Sequence, residues 1–286
     1  MNWKNKKVLV TGSEGMIGKE LTEQLSKLSD SINVYYIDKV GEYNNTDLTY
    51  KNICEAILSQ TKPDYVFHLA GIKGNPKMTN ERPVDFMGPM LQFDTNMIIA
   101  AQETGVKRFL YTSSIAVEHP ESDKYPAWAK QTGETLIEAM RIQYPKGTKY
   151  TIVRPSNVYG RYDNFDNPNA MVITSLISKV KRRAALELWG DGGQIRDFIN
   201  SKDVARGMIK AMEDMPDRPV NLCSGKGISI KQVVEIISKE TRKPIKHINT
   251  QGKIMGQDRR VMMINWDFKP EIDIAKGIKE VIEWIK

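Results

Sequence analysis

The chain has little of what staples or anchors a protein. Its two cysteines, Cys54 and Cys223, lie far apart and outside any C-x-x-C pattern, so neither a disulfide framework nor a zinc site is expected. The three histidines, His68, His119 and His247, are too dispersed to suggest a metal cluster. No stretch approaches the roughly 20 apolar residues that a membrane helix needs. Met1 to Lys7 is polar, and the apolar run after it is broken by Gly12, which is not a secretory signal pattern. Internal repeats and low-complexity tracts are lacking. These absences point to a protein of the reducing cytoplasm with no membrane partner. Positive charge is in excess, at a formal +7, yet the lysines are scattered. The tight basic cluster, Lys179, Lys181, Arg182 and Arg183, reads as a solvated helix face, so no nucleic-acid partner is expected.

What is present is enough chain, 286 residues, for one large α/β domain or a main domain with a smaller lobe. Short β-branched runs alternate with stretches of helical period, the pattern of a doubly wound parallel sheet covered on both faces. Expected strands are Lys7 to Val10, Val34 to Ile37, Tyr65 to Leu69, Phe109 to Thr112 and Thr151 to Val153. Ile17, Leu21, Leu25 and Leu28 mark the first helix by their spacing. Later helices are expected near Lys51 to Ser59, Asp85 to Thr104 and Pro126 to Gln143. After Pro155 a loop rich in Asn, Asp and Gly, Asn157 to Asn169, suggests a crossing into a smaller lobe. The expected division is residues 1–165 as a Rossmann-type domain and 166–286 as a smaller C-terminal substrate lobe, with a segment near 195–225 returning to the main domain. Asn221 to Cys223 is its returning strand, and Ser229 reads as a helix cap.

Thr11 to Gly18 reads T-G-S-E-G-M-I-G and joins the first strand directly to the first helix. Gly12 allows the tight turn, Gly15 lets backbone approach a pyrophosphate, and Gly18 lets helix and strand pack closely. The helix N-terminus at Met16 and Ile17 offers unpaired N–H groups and a partial positive charge to phosphates. The second strand ends in Asp38, about 20 residues on, where a carboxylate accepts hydrogen bonds from an adenosine ribose. That acid favours NAD over NADP, while Lys39 beside it leaves room for the phosphate.

The spacing T-G-x-x-G-x-x-G resembles that of the extended short-chain dehydrogenases, the NAD-dependent nucleotide-sugar epimerase/dehydratase family. Asp47 with Leu48 is similar to that family's adenine-contacting pair. Pro63 to Gly71 resembles its third strand and the turn beside the cofactor, with Leu69, Ala70 and Gly71 at the turn. Gly105 to Ser114 resembles the strand ending in the catalytic hydroxyl, Arg154 to Gly160 the loop passing the nicotinamide, and Trp189 to Ala205 the part holding the nucleotide diphosphate. Arg154 to Val180 and Gly71 to Asn96 look closest to the GDP-fucose synthase branch. The Cys and His that serve epimerisation there fall on Ala116 and Met171, neither of which moves a proton. The Asp-Glu pair of the sugar 4,6-dehydratases falls on Ile115 and Ala116.

The resemblance implies hydride exchange with NAD at a sugar carbon while a tyrosine exchanges the hydroxyl proton, helped by a nearby lysine cation. Ser114 matches the hydroxyl position and Lys130 the lysine, but the Y-x-x-x-K spacing puts Pro126 where the tyrosine belongs. Tyr125 is one place earlier, and five helical residues turn it about 140° from the lysine. Pro126 suits a first helical turn, which would leave Tyr125 at the cap and able to swing toward the site. The family's helix-borne Asn falls on Met90. Arg196 suits paired hydrogen bonding to a diphosphate, with Arg259 or Arg260 assisting, and Asn157 is placed to meet a sugar hydroxyl or phosphate. His68 reads as a core residue. By resemblance the helices at Asp85 to Thr104 and Pro126 to Gln143 would pair two subunits as a homodimer. Three functions stay open: an NAD-dependent epimerase or related redox enzyme on a nucleotide-linked sugar, a 4-ketosugar reductase, or a cofactor and nucleotide-sugar binding protein without redox turnover.

Overall fold

A computed structural model describes residues 2–39, 46–72, 76–121, 124–167, 170–182, 184–248 and 259–285. Arg183 of the basic cluster and Pro168 and Asn169 of the Asn-rich loop lie outside the described residues. The first part runs β1 (Lys7–Thr11), α1 (Met16–Ser26), β2 (Asn33–Ile37), α2 (Lys51–Thr61), β3 (Tyr65–His68), α3 (Pro76–Glu81), α4 (Pro83–Glu103) and β4 (Arg108–Thr112). A 3-10 turn at Ile115–Glu118 leads to α5 (Lys124–Gln143), β5 (Lys149–Pro155) and β6 (Asn157–Tyr159). Then follow α6 (Val172–Lys181), β7 (Leu186–Trp189), β8 (Ile195–Asn200), α7 (Ser201–Asp214) and β9 (Val220–Leu222). The last are β10 (Gly227–Ser229), α8 (Ile230–Thr241), β11 (Ile245–Ile248), β12 (Arg259–Arg260) and α9 (Ile274–Ile285).

Six strands form one sheet in the order β2-β1-β3-β4-β5-β9, each pairing parallel. This is the Rossmann-type doubly wound sheet expected from the alternation. Its strands are apolar at consecutive positions because both faces are covered. Val8 and Val10 pack with Leu21 and Leu25 of α1 and Val204, Met208 and Met212 of α7. Leu9 points the other way, as strand alternation requires, onto Cys54 and Leu58 of α2, Met97 and Ile98 of α4 and Ile137 of α5. Each fully buried aliphatic side chain of this kind contributes roughly 1.5–3 kcal/mol. The strand order reverses between β1 and β3, which opens a crevice beyond their carboxyl ends.

A third core joins α6, β7, α8 and α9 through Ile177, Leu186, Leu188, Val233, Ile237 and Ile278. Beside it β8 pairs antiparallel with β10 and parallel with β12 and β6. The expected loop after Pro155 therefore starts as a strand: Asn157, Val158 and Tyr159 pair with Phe198, Ile199 and Asn200. Three residues give no readable alternation, and their partner lies about forty positions away. The cap expectation for Tyr125 is also corrected, because α5 begins at Lys124 and places Tyr125 inside its first turn. Pro126 is tolerated there because the first four N–H groups of a helix have no partner within it.

Ser229 caps α8 as expected, in a reciprocal pair: its Oγ accepts from Gln232 N–H at 3.1 Å, and Gln232 Oε1 accepts from Ser229 N–H at 2.9 Å. Ser229→Ala should lower unfolding free energy by about 1 kcal/mol, read as a shift of the urea midpoint at unchanged slope.

Candidate active site

The turn from β1 into α1 is held by backbone contacts. Gly12 has φ +69°, a region that L side chains rarely adopt, and a Cβ on it would lie 2.8 Å from the Leu69 carbonyl carbon. A Cβ on Gly18 would lie 2.2 Å from Gly12 O and 2.7 Å from Ser13 O, so only glycine lets α1 sit this close to the loop. Gly15 is the N-cap of α1, and the amides of Met16, Ile17 and Gly18 follow in the first turn, where no intrahelical acceptor exists. The Ser13 hydroxyl is buried there without a hydrogen-bond partner. Asp38 follows β2 and accepts from the Glu14 N–H at 2.9 Å through Oδ2 and from the Lys39 N–H at 2.7 Å through Oδ1. The Lys39 ammonium turns to Asp47 Oδ2 at 3.0 Å. Thr49 hydrogen bonds and Lys39 hold the Asp47 carboxyl below its usual range. Asn96 of α4 fixes the neighbouring backbone by donating to Leu48 O and Thr49 O. Leu69 and Ala70, half-buried, and exposed Gly71 leave β3 beside the loop. Amides at a helix start, an orphaned hydroxyl and a carboxylate at the next strand end fit a dinucleotide, with the carboxylate opposed to a ribose phosphate.

Ser114 lies two residues beyond β4 and caps the 3-10 turn, its Oγ accepting from Ala116 N–H at 3.1 Å. That leaves its own O–H to donate. Lys130, on α5, is buried, and its Nζ lies 3.3 and 3.1 Å from the two oxygens of Asp94 of α4 and 4.9 Å from the Tyr111 ring centre. Asp94 Oδ1 also meets His68 Nε2 at 3.0 Å, and Oδ2 accepts from Tyr111 O–H at 2.6 Å. His68 Nδ1 meets Thr11 Oγ1 at 2.8 Å, and Thr11 Oγ1 accepts from Ala70 N–H at 3.2 Å. A carboxylate only accepts, so His68 donates from Nε2 and accepts at Nδ1 from the Thr11 O–H. Every hydrogen bond from Ala70 onward then points toward Asp94, and the imidazole is neutral. Tyr125 is half-buried, with the Lys124 ammonium 5.7 Å from its ring centre. Helical spacing within α5 sets it about 140° from Lys130.

Arg196 of β8 and Arg260 of β12 are register partners on adjacent parallel strands, with side chains on one face and backbones about 4.8 Å apart. This concentrates positive charge on that face. Arg196 also donates to Ile195 O at 2.9 Å. Asn157 stands in β6 with its amide nitrogen donating to Asp197 O at 2.8 Å. A groove of about 430 Å³ lies next to these strands, lined by Gly225, Arg259, Val261, Met262, Met263 and Ile264. Asp197, given no role from sequence, fixes its rim by accepting from Ser224 N–H, Ser224 O–H and Gly225 N–H. Burial pushes its carboxyl up against those bonds. Asp94 was missed as well, although a lone carboxylate inside the apolar run Met87 to Ala101, one turn after Met90, was a usable signal. Among the described residues no group of His, Cys, Asp or Glu forms a metal cluster.

Burial raises the Asp94 carboxyl, but the Lys130 charge and the His68 and Tyr111 hydrogen bonds outweigh it and leave it below the usual carboxylate range. Burial lowers His68, and Asp94 does not reverse this because its charge is already answered by Lys130. A depressed histidine stays neutral in the fold while the unfolded chain takes up a proton near pH 6.5. Its stabilising effect is complete above that pH and is lost as pH falls below it, by up to about 1.4 kcal/mol per pH unit. Urea midpoints between pH 7 and 5 should therefore fall for the parent and fall less for His68→Gln.

Residues 8–223 match the family described as the NAD dependent epimerase/dehydratase family. GDP-L-fucose synthase 1 of Arabidopsis thaliana is 27% identical over 99% of this chain and 94% of its own length. A putative UDP-glucose 4-epimerase of Methanocaldococcus jannaschii is 27% identical over 98% of both chains. Among solved structures, UDP-glucose 4-epimerase of Thermotoga maritima with UDP-glucose superposes at a TM-score of 0.86, 21% identical, covering 97% of this chain and 98% of that one. The Thermus thermophilus UDP-glucose 4-epimerase with NAD gives 0.84 at 22% identity over 98% of each. These two show a shared fold. With its glycine turn, Asp38, Ser114 and Lys130 at the carboxyl end of the sheet, and a family match across three-quarters of its length, the chain belongs to the NAD-dependent epimerase/dehydratase family.

Proposed function

We propose that this chain is an NAD-dependent epimerase, or a related redox enzyme, acting on a nucleotide-linked sugar. The observation that carries the reading is the dinucleotide turn with Asp38 after the next strand, together with Ser114 after β4 and the buried, Asp94-paired Lys130 of α5, and with the Arg196–Arg260 pair on neighbouring strands of the second sheet. The similarity to a GDP-L-fucose synthase and to a putative UDP-glucose 4-epimerase supports it. When bound, NAD supplies a hydride acceptor and donor at its nicotinamide. Gly12 and Gly15 shape the turn, the Gly15 N–H closing onto Gly12 O at 3.1 Å, while the amides of Met16, Ile17 and Gly18 hold the phosphates and Asp38 the adenosine ribose, with Asp47 and Leu48 beside the adenine and Leu69, Ala70 and Gly71 along the turn. Lys130 holds the nicotinamide ribose. Ser114 donates its O–H to the reacting sugar oxygen and polarises it. Tyr125 exchanges the sugar proton from the first turn of α5. Arg196 and Arg260 hold the diphosphate by charge-assisted hydrogen bonds, and Asn157 meets the sugar end of the substrate. A homodimer through α4 and α5 completes the reading, in keeping with exposed Val84, Trp128 and Ile142 on those helices, in the cytoplasm.

Proton NMR of the protein with NAD and a panel of GDP-, UDP-, dTDP- and CDP-sugars tests it: new sugar signals should form without net change in nicotinamide absorbance. No change in any sugar would refute the reading. Tyr125→Phe should cut turnover by about a hundredfold or more, whereas parent-like turnover would remove Tyr125 from the mechanism. Asp38→Ala should weaken NAD binding about tenfold or more, measured by calorimetry.

A further inference from the structure

We infer that Asp94 is a positioning residue that fixes the Lys130 ammonium in place for the cofactor, and joins it through His68 and Thr11 to the Ala70 amide at the edge of the dinucleotide turn. This rests on the reading of Lys130 as the cofactor-binding lysine.

The reasoning begins with the burial of Lys130 among β4, α4 and α5. An amine taken out of water is driven toward its neutral form unless an opposite charge answers it. The groups around Lys130 Nζ are Asp94 from α4, with both carboxylate oxygens within 3.3 Å, and the Tyr111 ring from β4. His68 from β3 stands behind Asp94 and is neutral, and Tyr111 is held well above its ordinary value by burial and by Asp94. On the helix of Lys130 itself, Glu134 is taken by Arg154, whose Nε donates at 2.8 Å and whose second nitrogen meets the other oxygen. Asp94 is therefore the carboxylate that answers the lysine.

The carboxylate is also fully coordinated: Oδ1 by His68 and Lys130, Oδ2 by Tyr111 and Lys130. Its geometry is set from β3, β4 and α5 together. A Cβ on Gly133 would lie 2.4 Å from the Tyr111 hydroxyl, so α5 carries a glycine where the phenol passes to Asp94. The far end of the chain is the Ala70 N–H on Thr11 Oγ1, one residue before Gly12. Lys130 and the dinucleotide turn thus share one continuous hydrogen-bond path. Through Tyr111, Asp94 thereby ties α4 to β4, the strand that leads to Ser114.

The test is NAD affinity by calorimetry at pH 8, without any sugar substrate. Asp94→Asn keeps the shape and removes the charge. It should weaken NAD binding about tenfold, the scale of losing a charge-assisted hydrogen bond, and Asp94→Glu should recover part of the affinity. Parent-like affinity in Asp94→Asn would overturn the inference and leave Asp94 a packing role. Should that variant fail to fold, the pair Lys130→Met and Asp94→Asn with Lys130→Met decides, since removing both charges of a buried pair is tolerated. Asp94 acts on NAD through Lys130, so the two should bind NAD within about twofold of each other. A further tenfold loss in the double variant would overturn the inference. Because no turnover is read, failure of every nucleotide sugar to react would refute the proposed function and leave this result standing.

Discussion

A charged carboxylate in the interior of a protein has to be answered from every side, and Asp94 makes that demand on four elements of this fold at once. Its partners come from β3, β4 and α5, and it sits on α4 itself. Replacing one partner leaves the others facing an unbalanced charge, which typically costs 3–5 kcal/mol. The strands that end in the dinucleotide turn and in Ser114 are therefore fixed relative to the helix that carries Lys130. Apolar packing alone would hold these elements together with less restriction on their axial positions, because dispersion and hydrophobic burial are not directional.

Charge is also distributed along the crevice. The cofactor end has Asp38 and Asp47, with the exposed Lys39 ammonium paired to Asp47. The lobe end has Arg196 and Arg260 in register on neighbouring strands. A neutral adenosine ribose suits Asp38, and an additional phosphate on that ribose would be opposed by its carboxylate. Local electrostatics thus favours NAD independently of family membership.

The elements legible in the sequence are those set by local chemistry. The strands of the main sheet are short β-branched runs next to turn residues, the glycine turn follows from its spacing, and the Ser229 cap is visible in the four residues Ser229 to Gln232. The expected family and NAD follow from the same motifs. Features that depend on distant partners were not readable. β6 is three residues long and exists because β8 offers it an edge. Asp94 falls in an apolar helical stretch, and its partners come from β3, β4 and α5. The start of α5 was misplaced because Pro126 was read as the first helical residue, whereas the unpaired amides of a first turn extend to its fourth.

Pro126 and Asp94 become intelligible together. With a tyrosine at position 126, the lysine one turn later would stand beside a phenol, and its unanswered charge would help that phenol ionise. With proline there, the lysine has no phenol on its own helical face to serve, and a buried unanswered ammonium would only destabilise the fold. A carboxylate at Asp94 resolves this by neutralising the pair, and it has a consequence for chemistry. The field that Lys130 exerts on any neighbouring proton carrier is largely cancelled by Asp94, so tuning of acid/base groups passes from the lysine to other dipoles. What remains to Lys130 is a fixed set of N–H donors. With Pro126 rather than a phenol one turn before the lysine, Asp94 on the facing helix is the group on which the charge of the lysine is spent.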